Sequence, residues 1–548
     1  MSLHKEINFE TEICQHLAAN GWLYAEGDAA NYDRALALYP ADVLAWVQAT
    51  QPQAWEILLK NHGPKAGETL LARLRDQLDQ RGTLDVLRHG IELLGLKNPL
   101  PVAQFKPALA INQEILTRYA ANRLRVVRQV KYSLHNENSL DVVLFLNGIP
   151  VATTELKTDF TQSITDAVDQ YRFDRNPRPK GQPPEPLLSF PNGALVHFAV
   201  SNSEVKMVTK LVGPATDFLP FNLGNDGGEG NPVNPAGGHR TAYLWEQVWA
   251  RESWLEILGR YLVIVRDKKK QITEYVFPRY HQLDVTRKLL SAVLLDGPGG
   301  KYLIQHSAGS GKTKSIAWTA HFLAELHDAQ KQKVFDTVLV VSDRNVIDSQ
   351  LQEALFDFQR TSGVVATITG NDGSKSKELA EALDGDKKIV VCTIQTFPFA
   401  LDAVHSRRLK CPLAVPASNH SSQRVEPCSC KLNLAHSPDL LPTGWQRLWP
   451  SGNNSRSCRR EMPGFARHKF RHPGRCHGAD RHRTWPHSSN CRRRSLPPRK
   501  SGRVKSCSCS RRRQTQSAIE DWKPIPQIAG YNGKAASCES NRSGHSCG

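Results

Sequence analysis

Apolar positions recur at intervals of three and four through the first hundred residues. Phe9, Ile13 and Leu17 share one helical face and stop at Asn20-Gly21, a pair suited to closing a helix. Two more helical segments follow, over 42–60 and 66–78, and Glu12 on the first helix reads as a surface carboxylate. From Leu124 the period changes to two. LRVVRQVKYS, LDVVLFL and PVATTEL predict three consecutive strands, the last two turning at Asn147-Gly148 as a hairpin. DAVDQYRFDR (166–175) predicts a helix, ALVHFAVS (194–201) a further strand, and the Gly/Asn/Pro stretch 222–238 a long loop. Trp245, Trp249 and Trp254 fall on a helix as core residues. Beyond Val263 comes a basic cluster, then apolar strands alternating with helices: KYLIQ before a glycine loop, TVLVVSDRNVIDSQL (337–351) and IVVCTIQTF (389–397). That alternation predicts a doubly wound parallel sheet with ligand groups at the carboxyl ends of its strands.

At 548 residues the chain has length for about three to four domain-sized units. No run of 18 apolar residues occurs and MSLHKEINFETEI lacks a signal-peptide core, so no membrane association and a cytoplasmic location are expected. The net charge of +18 suggests a nucleic-acid binder until it is divided. Residues 407–548 hold 28 Lys and Arg against 7 Asp and Glu, and residues 1–406 hold 43 against 46. The basic character belongs to the tail, so DNA contact by the body must come from local patches. Ten of the twelve cysteines also lie beyond residue 410. From about Ser406 neither hydrophobic period survives, and a disordered segment is expected. Cys428-x-Cys430 and Cys507-x-Cys509 lack zinc-finger spacing, and disulfides are disfavoured in the cytosol.

Two stretches carry chemistry. In KYLIQHSAGSGKTKSIAW an apolar run leads into Gly309-Ser310-Gly311-Lys312-Thr313 and then a helical pattern, the context of a phosphate-binding loop. Backbone N–H groups and a helix N-terminus would cradle phosphates, with Lys312 on the β and γ phosphates and Thr313 on Mg²⁺. His306 stands where the strict pattern has its first glycine. The second stretch is the hairpin, with Asp141 on one strand and Glu155-Leu156-Lys157 closing the next. Glu155 and Lys157, two apart, share a face of the sheet. A two-residue turn would put Asp141 on the opposite face, whereas a three-residue loop, Asn147-Gly148-Ile149, pairs it with Glu155. The three-residue form is predicted. Two adjacent carboxylates suit Mg²⁺, and a neighbouring lysine can orient or deprotonate water.

The nuclease hairpin, QHSAGSGKT, VLVVSDRNVIDSQL and VVCTIQTFPFAL, in this order, resemble the restriction (R) subunit of type I restriction–modification enzymes over about residues 5–405. The resemblance implies an α/β fold: a PD-(D/E)xK nuclease, a mixed sheet flanked by helices, within 1–255. One RecA-like superfamily-2 motor domain with a P-loop follows over 256–405, and the basic tail occupies 406–548. Asp141, Glu155 and Lys157 match the catalytic triad, with Asp141 and Glu155 also as metal ligands. Gln170 and Tyr171, with Arg172 beside them, resemble a Gln/Tyr-bearing helix that serves DNA. Gln282 matches an adenine-reading glutamine. Gly309, Ser310, Gly311, Lys312 and Thr313 form the nucleotide loop, Thr313 being its metal ligand. Arg344, Thr393, Gln395 and Thr396 fall in strand-end motifs along the DNA path. The implied cofactors are Mg²⁺ and ATP. The implied partners are double-stranded DNA and the methyltransferase and specificity subunits. The activity implied is ATP-dependent endonucleolytic cleavage coupled to translocation.

The family's Asp-Glu-Ala-His box is not found. Ala417-Ser418-Asn419-His420-Ser421-Ser422-Gln423 keeps only its continuation. The expectation is a motor truncated or frameshifted after about residue 405, binding nucleotide without efficient hydrolysis. The alternatives are a catalytically dead nucleotide- and DNA-binding remnant and a stand-alone helicase, which the missing acids disfavour.

Overall fold

The computed structural model describes residues 6–342, 345–358, 364–368, 374–385 and 387–396; Arg344, the segment 417–423 and the whole basic tail lie outside them. Helix α1 (Glu6–Ala19) ends where predicted, at Gly21 with φ 89°. The segment expected as one helix over 42–60 is two, α2 (Pro40–Thr50) and α3 (Pro52–His62). Pro52 lacks the N–H that would continue α2, and its ring drives Gln51 to φ −143°. Helices α4 (Ala66–Arg81), α5 (Thr83–His89) and α6 (Gln113–Ala120) complete the opening.

The period-two stretches form β1 (Leu124–Lys131), β2 (Ser139–Leu146) and β3 (Ile149–Leu156). Helix α7 (Ile164–Asp169) starts at Ser163, whose side chain accepts from Thr165 N–H while Asp166 accepts from Ser163 N–H. It runs into a wider π-type turn over Gln170–Asp174. Strands β4 (Val196–Val200), β5 (Val205–Val208) and β6 (Leu219–Pro220) extend the sheet to six strands in sequence order. Only β3 and β4 run parallel, so the sheet is mixed. Alternation divides its side chains between two cores. Val126, Val142, Leu144 and Ala152 pack toward α1, α4 and the buried Trp245, Trp249 and Trp254. Val127, Val143 and Phe145 pack with Val168 and Tyr171 on the other face. Arg125 clamps the helical opening to β1, its Nε 2.6 Å from Asp42 and its Nη1 2.5 Å from Asp28.

Helix α8 (Arg251–Glu256) continues directly into a π-type turn over Ile257–Tyr261, so the boundary expected at 255/256 falls inside a helical segment. The basic cluster that follows forms the turn of an antiparallel hairpin, β7 (Val263–Arg266) and β8 (Ile272–Val276). Then come α9 (Tyr280–Asp296), α10 (Lys312–Ala324), β9 (Val338–Ser342), α11 (Asn345–Asp357), β10 (Val365–Thr367), α12 (Lys375–Asp384) and β11 (Ile389–Thr393). Their sheet is parallel in the order β10-β11-β9, with helices between the strands, as the alternation predicts. One expectation is corrected. Tyr302–Ile304 forms no strand among the described residues: Tyr302 makes only an isolated bridge, and Leu303 and Ile304 are 53% and 36% exposed. An apolar run becomes a strand only through partners that local pattern does not specify. No helix among the described residues is long and apolar enough to cross a membrane.

Candidate functional site

The β2–β3 turn contains two residues, since Leu146 pairs with Ile149, and Asn147 and Gly148 take φ 50° and 80°. This overturns the predicted three-residue loop. The buried Asn147 holds the turn by accepting Arg123 N–H at 2.7 Å and donating to Val102 O at 3.0 Å. Gly148 packs so tightly that a Cβ would lie 2.4 Å from Tyr39 O. The register then shifts: Phe145 faces Pro150 but Leu144 faces Ala152, leaving Val151 as a bulge. One extra residue flips every side chain beyond it. Val142 therefore faces Thr154, and the next step puts Asp141 opposite Glu155, on one face of the sheet. The predicted juxtaposition stands, produced by a bulge instead of a longer loop.

Asp141 Oδ2 accepts the Leu156 N–H at 2.8 Å, which fixes its carboxylate against the end of β3. Its Oδ1 accepts from Gln129 Nε2 at 3.3 Å. Glu155 is wholly buried. Its Oε1 accepts from Arg175 Nε at 2.7 Å, while Oε2 is buried without a hydrogen-bond partner. Burial pushes the Glu155 carboxyl well above the usual range, Asp141's charge adds to this, and the Arg175 guanidinium opposes it. Lys157, two residues on, keeps its N–H on Val200 O and has its ammonium 3.5 Å from Glu6. Among the described residues no group of three or more His, Cys, Asp or Glu could hold a metal ion. A cation on the Asp141–Glu155 pair would thus take its other oxygens from water and main chain, as Mg²⁺ commonly does. The orphaned Oε2 and the hard-oxygen donors fit such an ion.

Sequence reasoning missed two neighbours. Glu10 is buried on α1, and Gln129 Nε2 bridges it (2.8 Å) to Asp141. Burial and then Asp141 raise the Glu10 carboxyl, while Arg128, with Nη2 3.0 Å from Glu10, pulls it down. A signal existed, since Glu10 lies with Ile13, Cys14 and Leu17 on the buried stripe of an amphipathic helix. Arg175 sits in a polar run and gave none.

Tyr171, expected at the DNA, is corrected to a core position: it is fully buried with its hydroxyl 2.8 Å from Thr153 Oγ1. Thr153 Oγ1 also lies 2.7 Å from His197 Nδ1. Gln170 is part-buried with Oε1 unpartnered, and Arg172 donates to Thr216 O at 3.0 Å.

The glycine loop ends at α10. Gly309 and Gly311 take φ 75° and 77°, and Lys312 opens the helix. Lys312 Nζ donates to His306 O at 3.1 Å and Ser307 O at 2.9 Å, inside its own loop. Gln282 is buried: Oε1 accepts Arg279 N–H, and Nε2 donates to Ser310 O and Gly311 O, both at 3.1 Å. Gln282 and the loop are thus brought together by contact with the loop backbone. Ser310 is buried and Thr313 half-buried. At the carboxyl end of β11, Thr393 and Thr396 hydroxyls lie 3.0 Å apart, and Gln395 is exposed.

The chain thus carries a mixed sheet bearing paired carboxylates, followed by a glycine loop and a parallel sheet with helices between its strands. The comparisons narrow this. Residues 53–215 match the family model for the type I restriction enzyme R protein N terminus, and residues 281–422 match the model for the SWI2/SNF2 ATPase. A protein of Methanocaldococcus jannaschii named "Putative type I restriction enzyme MjaVIIIP endonuclease subunit" is 23% identical over 253 residues, covering 43% of this chain and 22% of the relative. The chain therefore spans about a fifth of the length of the curated relative it matches. With both matches in this order, the chain is an R-subunit-like protein: an N-terminal nuclease region followed by an SNF2-like ATPase region.

Proposed function

We propose that the chain is a type I site-specific deoxyribonuclease of the PD-(D/E)xK kind, cutting DNA with Mg²⁺ and joined to a RecA-like, ATP-binding motor region. The observation that carries this reading is the carboxylate pair: Asp141 fixed by the Leu156 N–H, opposite a Glu155 with one free buried oxygen. Asp141 and Glu155 would hold Mg²⁺, which when bound neutralises phosphate charge and acidifies a water. Lys157, on the same face as Glu155, exchanges Glu6 for the attacking water or the phosphate oxygen. Gln170 and Arg172, with Thr393, Gln395 and Thr396 and, by resemblance alone, Arg344, would contact DNA, and Tyr171 supports β3 through Thr153.

In the second region the phosphates of ATP would replace the carbonyls that Lys312 now contacts, Gly309 to Gly311 would supply N–H groups and Thr313 would hold Mg²⁺, while Gln282 would have to give up its contacts to the loop backbone before it could read adenine. Double-stranded DNA is the substrate, and methyltransferase and specificity subunits are the partners. A second reading, a nucleotide- and DNA-binding remnant, is favoured by Ala417 and Ser418 standing where the family has its acids.

The deciding experiment is nicking of supercoiled plasmid with Mg²⁺. The enzyme reading expects nicking that falls about 10³-fold in Lys157→Ala. Nucleotide binding with no nicking in the parent chain establishes the remnant instead.

A further inference from the structure

Arg175 leaves the π-type turn after α7 in a run of charged residues, yet its side chain is only 9% exposed. Its Nε donates to Glu155 Oε1 at 2.7 Å. Its Nη2 donates to the carbonyl of Ser139 at 2.9 Å, and the guanidinium lies 5.9 Å from the Tyr132 ring centroid. Ser139 opens β2, two residues before Asp141. One planar group therefore grips both the carboxylate of Glu155 and the strand that delivers Asp141. Glu155 Oε2 remains buried with no partner at all. A buried carboxylate oxygen left orphaned is costly unless a ligand completes it.

We propose that Arg175 is the positioning residue of the carboxylate pair: by occupying Oε1 and anchoring β2, it leaves Oε2 as the one fixed oxygen that Glu155 offers to a divalent cation shared with Asp141. The geometry needs arginine. Two donors at a fixed angle reach two acceptors on different strands, whereas a lysine ammonium carries neither the fork nor its plane. The π-type turn contributes by shifting the phase of the chain, so that residue 175 points back under the sheet. This proposal rests on the nuclease reading above.

The test is Mn²⁺ binding to the full chain without nucleotide, followed by calorimetry and by the paramagnetic resonance of free Mn²⁺. The parent, Asp141→Ala, Arg175→Lys and Arg175→Gln are compared, with thermal melting of each. We expect parent binding that Asp141→Ala removes, weakening of at least about tenfold in Arg175→Gln, and a smaller loss in Arg175→Lys. In the nicking assay Arg175→Gln should raise the Mg²⁺ needed for half-maximal rate more than it lowers the rate at saturation. A purely structural arginine would lower the melting point and leave Mn²⁺ affinity of the folded protein unchanged, which overturns the proposal. Should Arg175→Gln fail to fold, Arg175→Lys decides alone, and parent-like affinity there overturns it. If the parent itself shows no Asp141-dependent Mn²⁺ binding, the nuclease reading falls first and takes the proposal with it.

Discussion

The two candidate sites are organised in opposite ways. The carboxylate site is built into a six-stranded sheet, on a β3 whose every residue is buried, and its groups are held by the backbone and by an interior guanidinium. The glycine loop is mostly exposed, has no strand behind it among the described residues, and satisfies its own lysine with its own carbonyls. The difference teaches where each site stores its order. The first carries unmet demand, an orphaned oxygen and raised carboxyls. The second has its lysine already satisfied by the carbonyls of its own loop.

Three experiments press on that contrast. The largest effect is expected at the turn. Gly148→Ala forces a side chain at φ 80° within 2.4 Å of Tyr39 O, and should cost about 3 kcal/mol in urea unfolding. A near-neutral result would mean that the carboxylate register does not depend on this turn. Next, Lys312→Ala should weaken ATP-analogue binding about 100-fold, with Mg²⁺-dependent nicking and melting temperature unchanged. Loss of stability there would mean that the loop is as integral as the sheet. The smallest concerns His197, buried beneath Thr153, whose imidazole burial pushes down to about 3. Its folded value lies below the ordinary 6.5, so the unfolded chain binds the extra proton between those limits and stability falls as pH falls. From pH 6.5 to 5 the cost is about 2 kcal/mol, and the fall should shrink by that amount in His197→Gln. An unchanged acid limb would remove His197 from the account of the sheet's rigidity.

Much of this was legible because it is local. Period two gave β1 to β3, and Asn-Gly marked the place of their turn though not its length. The agreement of Asp141 and Glu155 was reached through the wrong loop: Pro150, beside the bulged Val151, is the kind of residue that marks a bulge, but local pattern does not fix where the register shifts. Glu10 and Arg175 were harder still. Each reaches the site from an element distant in sequence, so only tertiary packing reveals the neighbour. The Tyr302–Ile304 run fails for a related reason: its apolarity is local, but its ladder is not.

Gln282 joins two structures that are usually considered apart. One side-chain oxygen caps the first turn of α9 through Arg279 N–H, while the amide nitrogen of the same group holds Ser310 and Gly311. The glutamine is in effect a rivet through helix and loop. Any ligand that draws the loop outward must also loosen the start of α9, which packs its Arg287 against Glu256 just before β7. The start of α9 and the backbone of the loop therefore cannot part without breaking the hydrogen bonds of one side chain.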